Sequence, residues 1–137
     1  MGKGLRRKDN RGVSLVELII VIAIMAVLIG VLAPQYLKYV ERGRESADLD
    51  NIDIMVSAVE IYNADPAHTP VTGTITGGAP VSVGTGIETA LEDAGLGTLP
   101  SMKSTEYKSA WVITFSADGW DVTTDSTNSK LKVALGR

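Results

Sequence analysis

Apolar residues are concentrated near the start of this chain. Val13 to Ala33, VSLVELIIVIAIMAVLIGVLA, is twenty-one residues long and holds one charge, Glu17. A run of that length and composition predicts a membrane-spanning helix. At 1.5 Å per residue it would span roughly 31 Å, against about 30 Å for a bilayer core. Beyond Pro34 the pattern becomes periodic. In Gln35 to Tyr62, Leu37, Val40, Ala47, Ile52, Val56 and Val59 fall near one helical face with charges between them. Lys38 to Glu45 is strongly charged and is expected to be the first solvated turn outside the bilayer. Gly43 weakens the helix without ending it. One helix from Val13 to Tyr62 would be about 75 Å long. The apolar stripe in its second half needs a folded head to cover it.

The remaining pattern predicts that head. Asn63 to Gly86 is rich in Pro, Thr and Gly and reads as a long loop with a short strand or two. Ile87 to Ala94 is apolar at 87, 90, 91 and 94, with Gly95 just beyond, which predicts a short helix with a glycine C-cap. Ser109 to Thr124 reads as a hairpin in which Trp111, Ile113 and Phe115 alternate with smaller or polar residues. Asp118-Gly119 supplies a two-residue turn signal. With that pair as the loop, Phe115 opposes Val122 and Ala117 opposes Trp120, and the apolar residues share a face. Lys130 to Leu135 predicts a further strand, with Leu131, Val133 and Leu135 on one side and Lys130 and Lys132 on the other. A helix stripe over an antiparallel sheet with one apolar face is an α+β head. The segment from Arg44 to Arg137 is expected to fold without the anchor. No internal repeat is visible.

Charge changes the picture at the N-terminus. The formal net charge of the 137 residues is -3. Lys3, Arg6, Arg7, Lys8 and Arg11 stand against Asp9 alone in the first twelve residues, and removing them leaves 8 basic and 15 acidic side chains, a net of -7. The basic tail is expected to stay cytoplasmic, with everything after Pro34 outside. A mildly acidic folded part argues against nucleic acid as a partner. There is no cysteine, which excludes disulfides, a Cys nucleophile and a Cys-based metal site.

Candidate chemistry is sparse. His68 is the single histidine, and it sits in the Pro-rich loop with no acid at a helical or strand spacing. One His and no Cys supply neither a triad with a second base nor a His/Cys zinc site. No Gly-x-x-x-x-Gly-Lys loop marks an NTPase. Asp118, Asp121 and Asp125, with Asn128, offer oxygen ligands of the kind calcium takes, although the spacing is not that of an EF-hand and turn chemistry already explains Asp118. Trp111 and Trp120 read as core or groove-lining residues, with sugar binding or adhesion as the functional alternative. No enzyme and no cofactor is expected.

Three readings compete for the apolar segment. One is an ordinary signal anchor. Another is a secretory signal peptide cut after Ala33, against which stand the length of the run and Pro34 just past the bond. The third explains Glu17. A lone carboxylate in a span costs about 2.5–3.5 kcal/mol on insertion scales, softened near a helix N-terminus by the dipole. If the chain is cut before Val13, a new α-amine appears four residues away. In a bundle, that amine on one copy can neutralise Glu17 on the next.

Lys8-Asp9-Asn10-Arg11-Gly12-Val13-Ser14-Leu15-Val16-Glu17-Leu18 resembles the class III signal of type IV pilins and pseudopilins. In that family a short basic leader ends in Gly, the cut follows it, and a Glu stands fifth in the mature chain. Gly12 and Glu17 match that spacing, while Val13 replaces the usual Phe. Pro34 falls where the family places a helix-kinking proline. The resemblance spans residues 6–62. It implies a cleaved leader at 1–12, a transmembrane and assembly helix at 13–34, the helical half of the head at 35–62, and a loop with an antiparallel sheet at 63–137. It further implies cleavage by a prepilin peptidase, N-methylation of Val13, and polymerisation of the chain with itself. Assembly would be driven by a separate ATPase with inner-membrane platform proteins. Gly30 and Pro34 mark the stretch expected to kink, or to melt on assembly. Some pseudopilins bind calcium near the C-terminus, which is why Asp118, Asp121 and Asp125 are named. The product would be a surface filament serving adhesion or motility. A pseudopilin of a secretion or competence system, or a monomeric membrane-anchored binding domain, are the alternatives.

Overall fold

The structure is a computed structural model and describes residues 12–78, 80–108, 111–122 and 129–136. Its elements run α1 (Leu15–Ala64), β1 (Gly73–Thr76), β2 (Ser82–Val83), α2 (Ile87–Asp93), β3 (Val112–Ser116), β4 (Gly119–Val122) and α3 (Ser129–Ala134). The chain separates into two compact units, Met1–Lys38 and Tyr39–Arg137. The long helix packed with a small antiparallel sheet is the expected α+β arrangement.

In the first unit, α1 holds helical geometry through Pro34. Its large apolar side chains are all more than half exposed, from 51% at Ile19 and Val21 to 74% at Leu15. No described residue covers them.

The second unit has its own core. From α1 it takes Ile52, Met55, Val56, Ala58 and Val59, which recur at three- and four-residue steps as a helix face must. Of the predicted stripe, Ile52, Val56 and Val59 are buried, while Leu37 and Ala47 are exposed. The sheet order is β2-β1-β3-β4 with every neighbouring pair antiparallel. Ile75, Ile113, Phe115 and Val122 supply its buried face. Burying a side chain of this class stabilises by about 1.5–3 kcal/mol. Trp111 is fully buried, its indole N–H donating to the Tyr107 carbonyl at 2.9 Å. Gly77 lies directly against that ring and donates its N–H to the Trp111 carbonyl at 2.8 Å; a side chain built there would overlap the indole. The short helix α2 ends as its sequence indicates: Leu96 N–H reaches the Leu91 carbonyl and Gly95 N–H the Glu92 carbonyl, the double bond of a glycine C-cap.

Two expectations are corrected. Lys130 to Leu135 is not a strand; α3 occupies this stretch. Leu131 and Leu135 are four residues apart, so a helix sets both on one side: Leu131 is fully buried, Leu135 packs against the core, and Val133 is 78% exposed. Leu, Lys and Ala are also strong helix formers. The remaining sheet strands come instead from the Thr- and Gly-rich segment before α2. In the hairpin, the loop is Ala117-Asp118 rather than Asp118-Gly119. Ser116 pairs with Gly119, Phe115 with Trp120 and Ile113 with Val122. The slip is two residues, so the apolar face is kept. It gains a Phe–Trp cross-strand pair, and Gly119, at φ 128°, takes the backbone conformation the tight turn requires. Lys38 to Glu45 is exposed or half-buried throughout, and within it Glu41 accepts a bond from the Thr105 N–H.

That bond belongs to a clasp the sequence pattern did not reveal. Asp48, on the buried face of α1, is 1% exposed. Its carboxylate accepts the Lys103 N–H at 2.9 and 3.1 Å and the Ser104 N–H at 2.7 Å. Ser104 Oγ in turn accepts the Tyr107 N–H. Two helix carboxylates thus secure the irregular chain between α2 and β3. The Thr105 backbone N–H and then its hydroxyl hold the Glu41 carboxyl below the usual glutamate range. Burial, then the charge of Glu45, pushes the Tyr107 phenol up.

Candidate processing and assembly segment

Gly12, Val13 and Ser14 precede α1 without regular structure and are exposed. The helix starts at Leu15 because Ser14 can cap it. The Ser14 carbonyl accepts the Leu18 N–H at 3.1 Å, and Glu17 Oε2 accepts the Ser14 N–H at 2.9 Å. Ser14-Leu15-Val16-Glu17 is the S-x-x-E pattern of a capping box, in which the acid reaches back to the capping residue's own N–H. The signal is local to these four residues. The carboxylate satisfies an amide that lipid could not and sits in the favourable field at the helix start. The peptide bond between Gly12 and Val13 therefore lies outside the helix, in exposed chain.

Further along, Gly30 has no atom close enough to touch an added side chain. Pro34 has no N–H to give the carbonyl of Gly30, so this turn lacks one rung of the helical ladder. By length and composition α1 can cross a membrane, and none of that apolar window is buried among the described residues.

The other predicted residues lie elsewhere and are not drawn together. Asp118 is exposed in the hairpin loop. Asp121 accepts the Val122 N–H at 2.8 Å and faces Lys132 Nζ at 3.5 Å. Asp125 and Asn128 fall outside the described residues. Among the described residues no group of three or more His, Asp or Glu could hold a metal ion. His68 does have an acid nearby, contrary to the sequence reading: Nδ1 lies 3.5 Å from Asp65 Oδ2, and the ring stacks on Tyr62 at 4.3 Å between centroids. A turn after α1, with the Asp65 carbonyl accepting the His68 N–H, produces that pairing. The two tryptophans divide between the roles weighed for them. Trp111 is core, while Trp120 lines a groove with its indole N–H on Glu60 Oε1 at 2.6 Å.

Comparison with known proteins gives one match. Residues 7–33 fit the family described as the prokaryotic N-terminal methylation motif, so the chain carries the class III prepilin-type signal of type IV pilins and pseudopilins. The matched stretch takes in Gly12, Val13, Glu17 and Gly30 and stops one residue before Pro34. No curated protein and no solved structure matches the chain.

Proposed function

We propose that this prepilin-type substrate is a structural subunit of a type IV pilus-like filament. A prepilin peptidase cuts between Gly12 and Val13 and methylates the new Val13 amine. The mature chain then polymerises on the cell surface, driven by an assembly ATPase and inner-membrane platform proteins, in service of adhesion or motility. The supporting observation is the N-terminal methylation motif at residues 7–33, joined to an apolar arm that no described residue covers, while the second unit buries a core of its own. Lipid covers that arm before assembly, and other copies of the arm cover it afterwards.

The residue roles follow from this reading. Glu17 carries its carboxylate into the bundle and pairs with the Val13 amine of a neighbouring copy. Gly30 and Pro34 weaken one turn. Unwinding about five residues there, from 1.5 Å to about 3.3 Å each, lengthens the arm by about 9 Å and lets the registers of head and arm adjust separately. Intact mass of membrane-extracted protein, with electron microscopy of sheared surface material, tests the proposal. The expected product lacks residues 1–12, carries one added methyl group and forms thin filaments. A mature chain beginning at Met1 or Pro34 overturns it. Filaments that appear only with overproduced secretion components move the assignment to a secretion pseudopilus.

A further inference from the structure

The groove beside Trp120 is unrelated to processing or assembly chemistry and lies wholly within the second unit. It measures about 440 Å³, within the range of small-ligand sites. One wall is the last turn of α1 with Glu60 and Asn63; the others are Pro70 and the β3–β4 hairpin with Phe115, Ser116 and Trp120.

Each wall is held in place. Asn63 Oδ1 accepts the Val71 N–H at 2.7 Å and its Nδ2 donates to the Val71 carbonyl at 3.1 Å, which fixes the chain next to Pro70. Ser116 Oγ donates to the Gly119 carbonyl at 3.0 Å and braces the hairpin turn. Glu60 Oε1 orients the indole through its N–H, and Trp120 is paired in register with Phe115 on the neighbouring strand. A ligand meeting this groove does not have to order it first, which removes a common cost of binding.

The lining also defines the ligand's chemistry. Among the described residues it contains no Lys, Arg or His, so the described lining offers phosphates, sulfates and other anions no counter-charge. Glu60 is exposed, with acceptor capacity left beyond the single indole bond. A half-buried aromatic ring beside a solvated carboxylate suits a ligand with an apolar face and hydroxyl donors at its edge. A pyranose has that form: its axial C–H bonds meet the electron-rich ring face, and its hydroxyls donate to the carboxylate. A bare cation gains little from an exposed carboxylate in water.

We propose that this groove binds a neutral saccharide, with Trp120 as the stacking platform and Glu60 as the hydroxyl acceptor. The proposal stands whether or not the chain polymerises. The full chain in lipid nanodiscs would be titrated with methyl galactoside, methyl mannoside and N-acetylglucosamine, followed by tryptophan fluorescence and saturation-transfer NMR. At least one sugar is expected to give a saturable change in emission, with transfer to ring C–H protons. Trp120→Ala should weaken binding at least about tenfold, or 1.4 kcal/mol, with unchanged circular dichroism. Trp120→Phe should keep part of it. Glu60→Gln, which retains an acceptor for the indole, should weaken it less than Trp120→Ala. Sialyllactose should bind no better than its neutral counterpart, lactose. No saturable response to any neutral sugar, tighter binding of the anionic one, or binding untouched in a folded Trp120→Ala variant each overturns the proposal.

Discussion

Replacing Asp48 with Ala tests the clasp that holds the irregular chain before β3. Asp48 is 1% exposed, and its carboxylate is the acceptor for two backbone donors, Lys103 N–H and Ser104 N–H, through three contacts of 2.7 to 3.1 Å. A hydrogen bond to a charged group contributes about 1.5–3 kcal/mol net, so the two donors lose about 3–6 kcal/mol. Part of this returns, because the variant no longer desolvates a carboxylate and water can reach at least the Lys103 side of the loop. A net loss of about 2–4 kcal/mol is expected, a large share of the 5–15 kcal/mol typical of a domain. Asp48→Asn keeps one acceptor oxygen and should lose about half as much. The assay is urea unfolding of a fragment starting at Tyr39, which retains Glu41, followed by circular dichroism and by emission of the buried Trp111. Asp50→Ala, at an exposed position of the same helix, serves as control and should stay within about 0.5 kcal/mol of the parent. If Asp48→Ala matched that control, the clasp would not stabilise the fold.

Four other outcomes are expected. Trp111→Ala should cost about 3–5 kcal/mol in the same assay, since the ring is fully buried; a cost under 1 kcal/mol would contradict that burial. Gly77→Ala should destabilise because its methyl group overlaps the Trp111 indole, and pairing it with Trp111→Phe should recover part of the loss; additive losses would count against the contact. Glu41 has its pKa lowered, chiefly by the Thr105 N–H, so its bond contributes above the unfolded glutamate range, about 4.3, and disappears as pH falls through the lower folded value. Amide exchange at Thr105 should then accelerate beyond the intrinsic trend below about pH 4, an excess that Glu41→Gln abolishes; no excess in the parent would contradict the shift. Glu17→Ala should insert in membranes at least as well as the parent yet give few filaments, and a normal filament yield would refute the pairing role.

What the sequence determined by itself was whatever depends on neighbours along the chain. Twenty-one residues with one charge give a lipid-length helix without help from any other segment. Gly12 and Glu17 at fixed spacing behind a basic leader give the processing signal, and that stretch is the part that matched a known family. The glycine cap after α2 is equally local, and the capping box at Ser14 and Glu17 was legible for the same reason. Period-two alternation was less reliable. It located the hairpin and the correct face, because a slip of two residues preserves both, but it could not choose the loop. The same alternation misread Lys130 to Leu135, since leucines four apart serve a helix face as well as spaced strand positions, and only the available core space decides between them. Asp48, Trp120 and Gly77 were decided by tertiary structure alone. A buried carboxylate is tolerable only where distant amides converge on it, here 55 and 56 residues away. A tryptophan lines a groove only when a carboxylate 60 residues earlier takes its N–H. A glycine is required at 77 only because an indole arrives there. Each depends on long-range packing, which brings together groups that no local pattern relates.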